Sequence, residues 1–255
     1  MKNKRVKLFG ILIDALDMHD TVGVLKDWLI SDSRQCRYVV TPNVDHLVKL
    51  DKNEIFRVAY QNASLVVADG RPVVAVASMF GDPLPGTVPG SDLVPEIFER
   101  FQKEKTPLKV FLLGAMPGVA DSAAKLIESK WPMVSIVGTL SPVFGFEKDV
   151  DACIKICQSI NASNAELLVL GLGAPKQELW VYQYASQLSV KVALCVGATI
   201  DFLAGEKPRA PAWMRKFAIE WLHRMASEPK RLAGRYFNDA LVFPRLIIKE
   251  WLSRR

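Results

Sequence analysis

The chain has 255 residues, half of them hydrophobic, and a formal net charge of +6. That is enough to bury a substantial core as one α/β domain with an appendage or as two domains. Its glycine and proline content is ordinary for a globular protein, and it contains no run of about 18 uninterrupted apolar residues, which excludes a spanning helix. The charge is uneven: from Lys207 onward twelve Lys or Arg stand against four acids, a net of +8, while residues 1–206 carry −2.

The first residues, MKNKRVKLFGILIDALD, begin basic but reach Asp14 too soon for a secretory signal, and no small-residue cleavage site follows. They read as a first strand. Next, CRYVVTPN reads as a strand buried on both faces. Pro42 bars helix at Thr41, so the turn presents Thr41 and Asn43 beyond the strand end. Asn43 or Asp45 capping the helix that follows is the competing reading. Residues 45–63 carry apolar positions at helical spacing, and the strand SLVV then runs into Ala68-Asp69-Gly70-Arg71-Pro72. There a carboxylate ends an apolar strand where solvent and substrate meet; an Asp-Gly turn bonding its own backbone is the alternative.

Further strands, LKVFLLGA, VSIVGTL, AELLVLGLG and VKVALCVGAT, alternate with helix-period segments at 91–105, 118–131, 149–163 and 175–188. This alternation predicts an α/β, Rossmann-like, mostly parallel sheet with crossover helices, which binds ligands at the carboxyl ends of its strands. The turn Gly171-Leu172-Gly173-Ala174-Pro175-Lys176-Gln177-Glu178 brings glycine amides and a helix N-terminus together, a setting for phosphate. It fails as a dinucleotide fingerprint, because its third glycine position is Lys176 or Gln177. Asp201, after the strand ending at Gly197, is placed either to accept from a base or ribose or to cap the next helix.

Asp149-Val150-Asp151 matches a divalent-ion pattern, yet acids just before a helix more simply favour its dipole. His19, His46 and His223 show no metal spacing. Cys36, Cys153, Cys157 and Cys195 lie mostly within apolar runs and read as buried thiols in a reducing cytosol. No metal and no cofactor are expected.

In the tail, GEKPRAP separates body from appendage. Phe217, Trp221, Leu222 and Met225, then Phe237, Leu241, Ile247, Ile248, Trp251 and Leu252, recur at helical spacing, with Pro244 placed to kink the second run. Basic residues fill the remaining positions, the character of an interfacial helix. A terminal helix packing on the body or on a partner chain is the alternative. Nucleic acid is disfavoured, because the aromatics fall on an apolar stripe and build no stacking platform.

Taken together, Thr41-Pro42-Asn43, Ala68-Asp69-Gly70, GSDL at 90–93, VFLLGA at 110–115, GLGAPKQE at 171–178, VGATIDFLAG at 196–205, the RAP and Trp of 209–213, and the EWLHR, EPKR and RY of 220–236 resemble the WecG/TagA/CpsF family of bacterial glycosyltransferases. The resemblance implies a Rossmann-like domain over 1–206 and a membrane- and acceptor-binding appendage over 207–255. It also implies inverting, metal-free transfer of an N-acetylmannosamine-type sugar from a UDP donor to a polyprenyl-diphosphate-linked acceptor in cell-surface polysaccharide synthesis. By position, Asp69 resembles the catalytic base, and Thr41 and Asn43 residues around the reacting sugar. Gln177 resembles a residue near the phosphate or acceptor, and Asp201 the uracil contact. Gly171 and Gly173 supply turn amides, while Arg209, Arg215, Arg224 and Arg231 resemble ligands of the lipid-borne diphosphate.

Two departures stand near the expected pocket. Thr87 occupies a position where family members commonly carry Arg, and SPVFGF replaces a Gly-Tyr-Phe segment, so any role of that tyrosine is dropped or passes to Phe144 or Phe146. The expected setting is the inner face of the cell membrane, with the tail on anionic lipid; a homo-oligomer is compatible with it. Another Rossmann-like nucleotide enzyme, using a nicotinamide or S-adenosylmethionine, and a non-catalytic membrane adaptor are the rival readings.

Overall fold

The computed structural model describes residues 4–254 apart from Arg34, 208–209, 212–213 and 215–219. The opening segment is not one strand but a hairpin of β1 (Arg5–Leu8) and β2 (Ile11–Asp14), antiparallel and outside the main sheet. Its two-residue loop, Phe9-Gly10, has φ of 52° and 77°. Positive φ at both positions is the geometry of a tight type I′ turn, which the glycine accommodates. Buried Asp14 then docks the hairpin: its carboxylate accepts from Arg5 Nε at 2.9 Å and from the backbone N–H of Val66 at 3.0 Å. Val66 lies on the edge strand of the main sheet, so the bond satisfies an amide that no strand covers.

The remaining elements are α1 (Met18–Ile30), β3 (Arg37–Val40), α2 (Val44–Lys52), α3 (Glu54–Gln61), β4 (Leu65–Val66), α4 (Arg71–Met79), α5 (Gly90–Lys103), β5 (Leu108–Gly114), α6 (Val119–Lys130), β6 (Val134–Leu140), α7 (Val150–Ala162), β7 (Leu167–Gly171), α8 (Lys176–Tyr184), β8 (Val192–Cys195), α9 (Thr199–Leu203), α10 (Glu220–Ser227) and α11 (Pro229–Ser253). The helical stretch expected over 45–63 divides at Asn53, which ends α2 and caps α3 by accepting from Phe56 N at 3.0 Å.

Strand order is β4-β3-β8-β7-β5-β6, and all five pairings are parallel. Alternate residues feed two cores. Leu168 and Leu170 face one side with Val40, Leu47, Phe56, Tyr60, Trp180 and Val181. Leu167 and Val169 face the other with Leu25, Phe98, Val110, Leu112 and Ile127. This is the period-two pattern of strands covered by helices on both faces.

The basic tail is built into the first of these faces. α11 continues through Pro244, packs along α2 and buries Leu232 and Leu246. Glu250 accepts from Phe9 N at 3.0 Å, Lys249 pairs with Asp51 at 2.7 Å and Arg254 with Asp82 at 2.8 Å. Exposed ion pairs add little, so the buried leucines hold the helix. Leu246→Ala should therefore lower unfolding stability by about 2–4 kcal/mol, read as a shifted urea midpoint, whereas a freely tethered tail would leave the midpoint unchanged.

Candidate active site

The loops after β3, β4, β7 and β8 meet at one edge of the sheet. Thr41 is buried, with Oγ1 3.5 Å from Cys195 O. Asn43 caps α2, its side chain accepting from His46 N at 3.2 Å. The Asp69 turn lies directly against this segment, because Asp69 N donates to Pro42 O at 2.9 Å. Val88 N donates to Ala68 O at 2.7 Å, which draws in the approach to α5. There the start of α5 presses on the end of β8: a Cβ on Gly90 would stand 2.8 Å from Val196.

The glycine turn after β7 packs as closely. A Cβ on Gly171 would lie 2.8 Å from Ile200 and 3.1 Å from Gly197 O, so this glycine seats α9 against the turn. Buried Gln177 joins the two loops, its Oε1 accepting from Gly173 N at 3.3 Å and Gly197 N at 3.1 Å. Its Nε2 donates to Glu178 Oε1 at 2.8 Å. Glu178 is fully buried, and burial pushes its carboxyl up to about 7 against the opposing pull of the Gln177 bond and Lys49.

Beside Glu178 lies a polar cluster that joins body and tail. Lys49 Nζ donates to Asp45 at 2.5 Å and to Ala174 O at 3.2 Å, tying α2 to the glycine turn. From α11, Arg235 stands 3.8 Å from Asp45. Asp239 is buried close by, its carboxyl raised to about 6 by burial and then by Asp45. His46 Nδ1 and Tyr60 Oη are 2.6 Å apart. Burial lowers His46 to about 4, so its ring is neutral at pH 7.

Asp201 sits in the first turn of α9 without capping it, 3.8 Å from Lys207, which also reaches Glu228 at 3.2 Å. The Arg224 guanidinium lies 5.0 Å over the Phe202 ring, so α10 reaches the α9 side of the edge. Arg209, Arg215 and the Arg231 side chain lie outside the described residues.

Asp149 caps α7, accepting from Ala152 N at 3.0 Å, in keeping with the helix-terminus reading of that acidic pair. Phe146 is buried, while Phe144 is fully exposed with Lys176 Nζ 4.8 Å from its ring centre. Two cavities among the described residues lie away from the loop edge. One, of about 370 Å³, is lined by Lys109, Glu166 and Lys191 at the amino ends of strands; the other, of about 540 Å³, lies between the hairpin and the end of α11.

Residues 6–255 match the Glycosyl transferase WecG/TagA/CpsF family. The chain belongs to this family. It is a sugar transferase, which sets aside the nicotinamide, S-adenosylmethionine and adaptor readings. Among similar curated proteins are two from Staphylococcus aureus, of strains MRSA252 and MW2, each named N-acetylglucosaminyldiphosphoundecaprenol N-acetyl-beta-D-mannosaminyltransferase. Each is 28% identical to the glycosyltransferase over 228 residues, covering 89% of this chain and 87% of the relative.

Sequence reading of the glycosyltransferase missed Glu178, Lys49, Arg235 and the His46–Tyr60 pair as parts of one cluster. Asp45 and Lys49 stand four apart on a helix and are readable as a pair. The burial of Glu178, and the arrival of Arg235 from another part of the chain, leave no local signal. A carboxyl raised in the folded state contributes stability below the ordinary carboxylate pKa and loses it as pH rises through the folded value. Relative to Glu178→Gln, the parent should thus lose about 3 kcal/mol between pH 4.5 and 7 and little beyond, measured as the difference of urea-unfolding curves.

Proposed function

We propose that the enzyme transfers an N-acetylmannosamine-type sugar from a UDP donor to a polyprenyl-diphosphate-linked acceptor, with inversion, as a step of cell-surface polysaccharide synthesis. The names of its relatives supply the substrate class. The observation that carries the mechanism is the contact of the Asp69 turn with Thr41-Pro42-Asn43, fastened by the 2.9 Å bond from Asp69 N to Pro42 O. It sets Asp69, a half-buried residue, beside the segment read as lining the reacting sugar.

In this reading Asp69 takes the proton of the acceptor hydroxyl as that oxygen attacks the anomeric carbon, and the bond to UDP breaks on the opposite face. UDP leaves with the bonding pair. Its diphosphate charge needs fixed positive groups. The Gly173 amide is committed to Gln177, so the arginines of the tail, Arg209, Arg215, Arg224 and Arg231, carry more of that task than the glycine amides. Asp201, across the Gln177 junction, is the uracil contact. No metal or cofactor enters this scheme.

Among the described residues no helix is long and apolar enough to cross a membrane. The outward face of α11 supports peripheral attachment instead. Phe237, Leu241, Ile248 and Leu252 are exposed there at spacings of four, seven and four, with Arg245 also exposed. Such a stripe suits the boundary of an anionic bilayer, where the lipid-borne acceptor resides. The appendage beginning at Lys207 would thereby hold the loop edge at the membrane.

Two measurements test this reading. Asp69→Asn should lower turnover by about 10² to 10⁴ while leaving UDP affinity within about twofold, followed by mass spectrometry of the lipid-linked product. Unchanged turnover would remove Asp69 from the chemistry. Replacing Phe237, Leu241 and Ile248 together with Ser should weaken binding to anionic vesicles roughly 10²-fold, at about 1 kcal/mol per residue, and rising salt should weaken the parent's binding. Equal sedimentation of parent and variant with vesicles would place the membrane contact elsewhere.

A further inference from the structure

At the loop edge, two backbone amides from different loops converge on one side-chain oxygen. Gly173 belongs to the turn between β7 and α8 and Gly197 to the turn between β8 and α9, and Gln177 Oε1 accepts from both. That oxygen therefore fastens the turn beside the donor diphosphate to the start of the helix bearing Asp201. A carboxamide has two ends of similar size and opposite hydrogen-bonding character. Turned over, it would aim an NH₂ group at two N–H donors and lose both bonds.

Glu178 fixes its sense. The Glu178 Oε1 accepts from Gln177 Nε2 at 2.8 Å, and Glu178 Oε2, although buried, has no hydrogen-bond partner among the described residues. A carboxyl group removed from water with half its bonding capacity unused is costly to the fold. Among the described residues, the side chain it bonds is the Gln177 carboxamide. The carbonyl oxygen of a neutral carboxyl accepts as a carboxylate oxygen does, so the bond persists although burial raises this carboxyl to about 7.

We propose that Glu178 is a positioning residue: it aims the Gln177 carboxamide so that one oxygen sets the spacing between the glycine turn and the Asp201 helix, and thereby the fit of the UDP donor. The donor part rests on the function proposed above; the junction itself does not. Glu178 touches no substrate in this scheme and acts through Gln177 alone.

The experiment uses the full chain, with UDP as probe in calorimetry and amide hydrogen exchange at Gly173 and Gly197 without ligand. Glu178→Ala should raise the UDP Kd about tenfold and speed exchange at both glycines together, as expected for loss of the bond that orients the junction. Glu178→Gln keeps an acceptor carbonyl and should restore both. Gln177→Leu should reproduce the Glu178→Ala phenotype, and the double variant should be no worse than Gln177→Leu, because residues acting through one contact are not additive. Glu178→Met, of similar volume and without a strong acceptor, replaces Glu178→Ala if circular dichroism shows the latter unfolded. Additive losses in the double variant, or exchange at Gly173 and Gly197 unmoved by loss of Glu178, would overturn the proposal. Failure of the parent to bind UDP would sink the donor reading, while the exchange result would still decide the junction.

Discussion

Parallel pairing is the constraint on which the rest of this molecule depends. Neighbouring strands that run the same way force the chain to return over a face of the sheet each time, so the loops that follow the strands gather at one edge. With the order β4-β3-β8-β7-β5-β6, the turns after β3 and β8 become neighbours although Thr41 and Gly197 are far apart in sequence. The same constraint separates polar from apolar. Residues such as Leu168 to Leu170 fill the two cores, and polar groups such as Thr41 and Asp69 are left at the strand ends.

Close backbone approach at that edge locks the loops against one another. A Cβ on Gly90 would run into Val196 Cβ and backbone, and one on Gly171 would push the Ile200 side chain aside. Over this packing, a small number of polar bonds fix the relative position of the loops: Asp69 N to Pro42 O, Lys49 to Ala174 O, and Gln177 to two amides. Each joins segments distant in the chain. Fixed geometry of this kind matters for transfer chemistry, in which the donor and acceptor must be held in line before the bond breaks.

An interfacial helix and a helix packed on the body were rival readings of the same residues; α11 packs on the body through one face and leaves an apolar stripe exposed on the other. Leu232, Arg235, Asp239 and Leu246 turn inward, while Phe237, Leu241 and Ile248 turn outward. A helix of this length presents both faces at once, so an apolar stripe counted on the sequence mixes two populations. Docking of the inward face brings Arg235 within 3.8 Å of Asp45, linking the basic segment to the loop edge.

The sequence alone determined the strands, because a run such as Leu167 to Gly171, bounded by turn residues, has few other places to go in water. It determined the polar strand ends, and through eight short motifs it carried the family. It did not determine that residues 5–14 fold as a hairpin. That turns on two positive-φ residues, Phe9 and Gly10, and on a buried Asp14 that needed the open edge of β4 to bond. Nor did it determine that Glu178, an acid in the first turn of α8, is sealed from solvent against Gln177. Local spacing reports which face of an element is apolar, since that preference is written residue by residue. The partner that covers a given side chain is chosen only when distant segments pack, and burial, pKa shift and hydrogen-bond direction all follow from that partner.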